Sequence, residues 1–205
     1  MSENEPTVFI VDDDKTICSG ISQLIESIGL NTQCFQSAQD FLDSYTAGSA
    51  GCLVLDVRMP GMSGMVLQDK LTERSIDLPI IFITGHANVR MGVDAIKKGA
   101  IDYIEKPFDD QVLLEQIQKA LEKDAQNRRM HTQKQIVLSC IESLTPREQQ
   151  IMYMVANGKL NKVIGYELEI NIKTVEHHRA NAMMKMQVDS VAALVQLLER
   201  TGRMK

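Results

Sequence analysis

A rhythm in the first 121 residues constrains the fold of this 205-residue chain more than any other feature. Thr7-Val8-Phe9-Ile10-Val11 is a short apolar run, rich in β-branched residues, that ends abruptly at Asp12-Asp13-Asp14. Such a run has no polar face to offer water, so it reads as a central parallel strand buried on both sides. Ile17, Ile21, Leu24, Ile25 and Ile28 then fall at helical spacing over 15–28, with Gly29 as the stop. The unit recurs four times. Residues 31–35, 51–55, 79–83 and 101–105 are the further strands. The further helices are 37–45, with Ser37 and Asp40 as a candidate cap, 63–74, with Val66, Leu67 and Leu71 inward, 89–98, and 110–121, with Leu114, Ile117 and Leu121 on one face. Five strand-helix units, with helices on both faces, imply an α/β doubly wound parallel sheet.

Ligands of such sheets bind beyond the carboxyl ends of the strands, so the residues just past each strand matter most. Asp12 and Asp13 come after the first, Asp56 after the third, Thr84 after the fourth and Lys106-Pro107 after the fifth. Singly, each has a plain explanation: an aspartate at a strand end forms turns, Asp14 starts a helix, Thr84 is a strand-end hydroxyl and Lys106 a solvated charge. Together they place three carboxylates, a hydroxyl and an ammonium on one edge. Clustered carboxylates repel and need a cation. An all-oxygen donor set selects a hard ion, and Mg²⁺ fits best because it accepts one or two carboxylates and keeps exchangeable waters. Asp56 is then a candidate nucleophile for a phosphoryl group, Lys106 a counter-charge and Thr84 a hydrogen-bond donor to the product.

Charge separates the chain into halves. Residues 1–121 carry 9 Lys and Arg against 18 Asp and Glu, whereas 122–205 carry 13 against 9. The basic half suits an anionic polymer, although a solvated surface explains so modest an excess equally well. Cys18, Cys34, Cys52 and Cys140 form no metal-binding spacing and read as buried thiols in a reducing compartment. No apolar run reaches the roughly 18 residues of a membrane span, which gives the expectation of a soluble cytoplasmic protein with no membrane partner.

Beyond 121 the apolar pattern fades into strong helix formers, which predicts a helical linker over 122–141. Too few heptad positions are apolar for a coiled coil. Thr145-Pro146-Arg147-Glu148 then carries a full helix start, with Thr145 as cap, Pro146 at the first helical position and Glu148 reaching back. That helix buries Ile151, Met152 and Val155 and stops near Asn157-Gly158. Residues 161–168, a tight turn at 169–171, and helices at 173–187 and 191–198 complete a helix-turn-helix pattern. In the third helix Val175, His178, Ala182 and Met186 face the core and leave Lys173, Glu176, His177, Ala180 and Met184 outward. In a major groove Glu176 would accept from a cytosine amino group, Ala180 would touch a thymine methyl, His177 would influence sequence preference, and Lys173, Thr174 and Arg179 would hold phosphates. A merely solvated face is the alternative. His177 and His178 diverge on the helix and do not share a metal.

Asp12-Asp13, Leu55-Asp56-Val57-Arg58-Met59-Pro60-Gly61, Ile83-Thr84-Gly85 and Glu105-Lys106-Pro107-Phe108 resemble the receiver-domain motifs of two-component response regulators. Leu144-Thr145-Pro146-Arg147-Glu148, Asn157-Gly158, Asn161-Lys162-Val163-Ile164 and Thr174-Val175-Glu176-His177-His178-Arg179-Ala180-Asn181 are similar to the LuxR-type DNA-binding domain. Together the halves resemble NarL/FixJ-type regulators, most closely the FixJ branch. The resemblance implies a receiver over 6–121 with sheet order 2-1-3-4-5, the linker, and a small all-α four-helix domain over 142–205. It implies that Asp56 accepts a phosphoryl group from a sensor histidine kinase. Asp13 and Asp56 would bind Mg²⁺ directly, Asp12 through water, and the Arg58 backbone carbonyl would complete the protein ligands. Lys106, with a cis peptide to Pro107, would pair with the phosphoryl oxygens. Thr84 and an inward-turning Tyr103 would then remodel the surface of the fourth helix, fifth strand and fifth helix into a homodimer face that binds double-stranded promoter DNA. Such a chain is a switch and not an enzyme.

Two departures stand out. Gly165 replaces a usual alanine, which at about 1 kcal/mol predicts a weakened second domain, and Ala182 replaces a larger aliphatic. Glu176 reduces phosphate attraction locally. Two rivals stay open: an aspartyl-phosphate hydrolase, which usually carries a second aspartate where Arg58 stands, and a switch whose output module binds protein.

Overall fold

The computed structural model describes residues 5–86 and 88–202. Two compact units make up the chain, the first ending at Arg128 and the second beginning at Arg129. In the first, strands β1 (Thr7–Val11), β2 (Asn31–Phe35), β3 (Gly51–Asp56), β4 (Ile80–Thr84) and β5 (Asp102–Glu105) form one parallel sheet in the order β2-β1-β3-β4-β5. Thr7 pairs with Asn31 on one side and Gly51 on the other, Leu53 with Ile80, and Ile81 with Asp102.

Residue alternation along the strands builds two apolar layers. Phe9, Val11, Leu53, Leu55 and Phe82 point to the face covered by α2 (Ala38–Ser44), α3 (Gly64–Glu73) and α4 (Val89–Lys97), where they meet Phe41, Leu67, Leu71 and Ala95. Val8, Ile10, Cys52, Val54, Ile81 and Ile83 point to the opposite face, against Cys18, Ile21 and Ile25 of α1 (Lys15–Glu26) and Leu113, Ile117 and Ala120 of α5 (Asp110–Glu142). Edge position explains the polar sequence of β2, most of which is not buried.

Helix starts follow their capping residues. Asp14, Ser37, Ser63 and Asn88 each accept a backbone N–H from the first turn of the helix they precede. Two inward assignments are corrected. Val66 is exposed, because the stripe of α3 runs through Leu67 and Leu71, and Ile28 is exposed because α1 ends at Glu26. The buried line of α5 passes through Leu113, Ile117 and Ala120, with Leu114 and Leu121 at its flanks.

Helix α5 is continuous through the linker stretch, and the boundary between the units falls inside it. On the first unit it is tied down beyond 121. Asp124 Oδ2 accepts the Gly51 N–H at 3.0 Å, Asn127 Nδ2 donates to Asp77 Oδ2 at 2.9 Å, and the Arg128 guanidinium donates to the Gly48 carbonyl.

The second unit holds the end of α5 with α6 (Pro146–Ala156), α7 (Asn161–Glu167), α8 (Ile172–Lys185) and α9 (Val191–Arg200). Thr145 and Glu148 form the expected reciprocal cap. Lys185 Nζ reaches Glu148 Oε2 at 2.6 Å, and that hydrogen bond is the main cause holding the Glu148 carboxyl below its ordinary range. Cys18 and Cys52 are buried and Cys140 partly so, but Cys34 is exposed on the edge strand, against the reading of buried thiols. Among the described residues no helix is long and apolar enough to cross a membrane.

Candidate functional site

The carboxyl ends of β1, β3 and β5 bring Asp12, Asp56 and Lys106 together. Lys106 Nζ lies 2.6 Å from Asp12 Oδ2 and 2.7 Å from Asp56 Oδ1. Both carboxylates are almost wholly buried, at 1% and 5% exposure. Their remaining oxygens are also engaged: Asp12 Oδ1 accepts the Asp14 N–H at 2.9 Å and Asp56 Oδ2 the Arg58 N–H at 2.6 Å. Burial pushes the Asp56 carboxyl above its ordinary value, against the bond and charge of Lys106, and the Asp12 charge pushes it the same way. Burial alone would lower Lys106, yet its bonds to Asp12 and Asp56 outweigh this and hold it above the usual lysine range.

Asp13 is exposed beside this pair, and the Arg58 side chain is exposed as well. Among the described residues no three His, Cys, Asp or Glu side chains are gathered as a closed metal cage. The donor set nonetheless fits Mg²⁺ chemically. Two hard carboxylates already share one cation, the ammonium of Lys106, and Mg²⁺ needs only one or two such ligands.

Thr84 ends β4 fully buried, and among the described residues its Oγ1 makes long bonds to the loop, 3.3 Å from the His86 N and 3.4 Å from the His86 O. Its own carbonyl accepts the Lys106 N–H at 2.7 Å, which fixes the start of the Lys106-Pro107 turn, and that peptide is cis. Tyr103 packs on Phe82 at a ring separation of 6.2 Å, and its buried hydroxyl has no hydrogen-bond partner among the described residues. The inward position expected of Tyr103 after phosphorylation is thus already taken by its hydroxyl in this structure.

Two glycines at the site escaped the sequence reading. A Cβ on Gly64 would lie 2.3 Å from the Asp56 carbonyl oxygen, so only glycine lets α3 begin against the end of β3. A Cβ on Gly92 would lie 3.3 Å from the Tyr103 ring, so this mid-helix glycine makes room for the aromatic. The Ser63-Gly64 pair at a helix start is a weak signal for the first; nothing local signals the second.

In the second unit α7, the turn and α8 form the helix-turn-helix. Val175, Ala182 and Met186 are buried and Lys173, Glu176, His177, Ala180 and Met184 exposed, as the periodicity predicts. His178 is only half-buried. Thr174 is tied to the cap at Asn171, its N–H donating to Oδ1 at 2.8 Å. Arg179 does not project freely, since its Nη1 donates to Asn161 Oδ1 on α7 at 2.9 Å. The turn explains Gly165: a Cβ there would lie 2.9 Å from the Ile170 carbonyl oxygen.

Comparison with known proteins agrees with both halves. Residues 8–118 match the response regulator receiver domain, and residues 142–198 match the luxR family of bacterial regulatory proteins. The chain is 46% identical over 200 residues to the response regulator protein TmoT of Ectopseudomonas mendocina, covering 98% of this chain and 91% of TmoT. It is 37% identical over 195 residues to the transcriptional regulatory protein FixJ of Bradyrhizobium diazoefficiens, covering 95% of each. The solved structure of the response regulator StyR aligns with a TM-score of 0.86 at 43% identity, over 96% of this chain and 99% of StyR. With a receiver whose acidic strand ends meet one lysine and an output unit built as a helix-turn-helix, the chain belongs to the NarL/FixJ-type response regulators, two-component DNA-binding proteins of transcription regulation.

Proposed function

We propose that Asp56 is the phosphoacceptor of a cytoplasmic switch, charged by the phosphohistidine of a sensor histidine kinase. The observation that carries this reading is the single ammonium of Lys106 held between two buried carboxylates. An Asp56 oxygen attacks the phosphorus, the phosphorus–nitrogen bond of the phosphohistidine breaks, and the electron pair leaves on the imidazole. Lys106 then passes from the Asp56 carboxylate to the oxygens of the new acyl phosphate, so its charge is never left unpaired in the buried site. Asp13 and Asp56 directly, Asp12 through water and the Arg58 carbonyl would hold Mg²⁺, which supplies charge neutralisation to the incoming group.

Release runs through Thr84. Its hydroxyl, 3.3 and 3.4 Å from His86, turns to the phosphoryl oxygens, while Tyr103 keeps the inward place its buried hydroxyl already has beside α4. Exposed Val89, Val93 and Ile96 border a groove of about 490 Å³ between α4 and β5. This apolar face becomes a homodimer surface, which supplies two recognition helices for two half-sites about one turn apart. On each α8, Lys173 and Thr174 contact phosphates, Arg179 joins them when its bond to Asn161 opens, and Glu176, His177 and Ala180 face the bases.

Selection of bound sequences from random duplex DNA, with and without a small acyl phosphate as phosphoryl donor, tests the reading. A two-fold symmetric sequence enriched only with the donor is expected. Steady release of phosphate from phosphomonoesters instead would turn the assignment toward a hydrolase, and no duplex binding would turn it toward a protein-binding output.

A further inference from the structure

Cys18 and Cys34 are drawn together by the same register that pairs a neighbouring serine and threonine. Ser22 Oγ and Thr32 Oγ1 lie 2.6 Å apart where α1 crosses β2, and both contact Glu26, at 2.9 and 2.6 Å. One turn back along α1, roughly 6 Å, lies Cys18; two residues on along β2, roughly 6.7 Å on the same face, lies Cys34. Helix and strand run in opposite directions, so both steps lead to one place. The contacts agree: Cys34 Sγ is 3.6 Å from the Cys18 carbonyl oxygen, and Cys18 Sγ is 3.8 Å from the carbonyl of Phe35, the residue after Cys34. Cys34 is exposed and Cys18 buried.

We propose that Cys18 and Cys34 are a redox-active dithiol, closed to a disulfide by a hydroperoxide, and that this modification acts on the Asp12 edge of the phosphoacceptor site. The exposed Cys34 sulfur attacks the peroxide oxygen, giving a sulfenic acid and releasing the reduced alcohol or water. The Cys18 sulfur then attacks Cys34, the sulfur–oxygen bond breaks and the sulfenic oxygen leaves as water with the Cys18 proton, so two thiols are oxidised by two electrons in all. In the reduced chain Cys18 Sγ–H donates to the Asp12 carbonyl at 3.6 Å. The bridge removes that proton and ties α1 to the edge strand one turn after the Asp12-Asp13-Asp14 corner. The effect on phosphorylation rests on the reading of Asp56 given above; the bridge itself does not.

The full chain is treated with hydrogen peroxide, unfolded, alkylated and mapped by mass spectrometry without reduction. A Cys18–Cys34 linked peptide is expected, with Cys52 and Cys140 alkylated, and its absence in Cys34→Ser. Cys34 carried to sulfinic acid while Cys18 is alkylated, or two chains linked through Cys34, would overturn the dithiol. Phosphoryl uptake from a small acyl phosphate is then compared before and after oxidation. Severalfold slower uptake is expected, restored by a thiol reductant and unaffected by peroxide in Cys34→Ser. Equal rates would overturn the coupling, whereas no uptake by the reduced chain would count against Asp56 as phosphoacceptor and leave the mapped bridge standing.

Discussion

Asp56 is a buried carboxyl whose burial raises its affinity for a proton, with Lys106 pulling the other way. The folded state therefore binds a proton at Asp56 more tightly than the unfolded chain does. Stability falls as pH rises from below the ordinary carboxyl value through the raised one, and the penalty is complete above it. Asp56→Asn escapes this penalty while Lys106 keeps Asp12 as a partner. At pH 7 the variant is expected to be more stable by on the order of 1 kcal/mol in denaturant unfolding, the gap closing as pH falls through the Asp56 titration. A variant less stable at pH 7 would contradict it. Gly165 makes the opposite case, where helix propensity misleads. Propensity gives Gly165→Ala a gain of about 1 kcal/mol, but the added Cβ would press on the Ile170 carbonyl at 2.9 Å. A loss of about 1 kcal/mol in thermal unfolding is expected, and a gain would show that the turn yields. Glycines also mark where a sequence stops being legible. Asp12, Asp56 and Lys106 were legible because apolar strands deliver them to one edge; Gly64 and Gly92 were not, because their role is a close approach by residues distant in sequence.

Elements were legible where punctuation was local. Gly29, Gly99 and Gly158 adopt positive φ where helices stop, and the Thr145-Glu148 cap forms as its spacing demands. Polar residues on α5 were not legible in the same way. Asp124 stands in a charged run and looks solvated, yet it is buried and accepts the N–H of Gly51, 73 residues earlier. That bond fastens the linker stretch of α5 to the start of β3, the strand that ends in Asp56. Asp124→Ala leaves the Gly51 N–H without its acceptor and is expected to cost about 1–3 kcal/mol, whereas Asp124→Asn keeps a carbonyl there and costs less. Unfolding of both variants, together with hydrogen exchange at Gly51, would decide; equal losses would mean that charge, and not the bond, holds the helix.

At the scale of the molecule, an acidic receiver and a basic output unit were legible from charge and motif order, and both families agree with them. The roles of α8 residues divide by what each can touch. Lys173→Ala is expected to weaken binding to all duplexes alike and to reduce the salt dependence by about one counterion, while changes at Glu176 or His177 alter sequence preference. Binding curves over a salt series on several duplexes separate the two. Control of these contacts from Asp56 is the central claim, and the mass of the full chain in solution is its most direct test. Sedimentation of wild type and Asp56→Asn, each with Mg²⁺ and with or without a small acyl phosphate, should take wild type from one chain to two only with the donor and leave Asp56→Asn at one. An unchanged mass for phosphorylated wild type, or the same shift in Asp56→Asn, would contradict it.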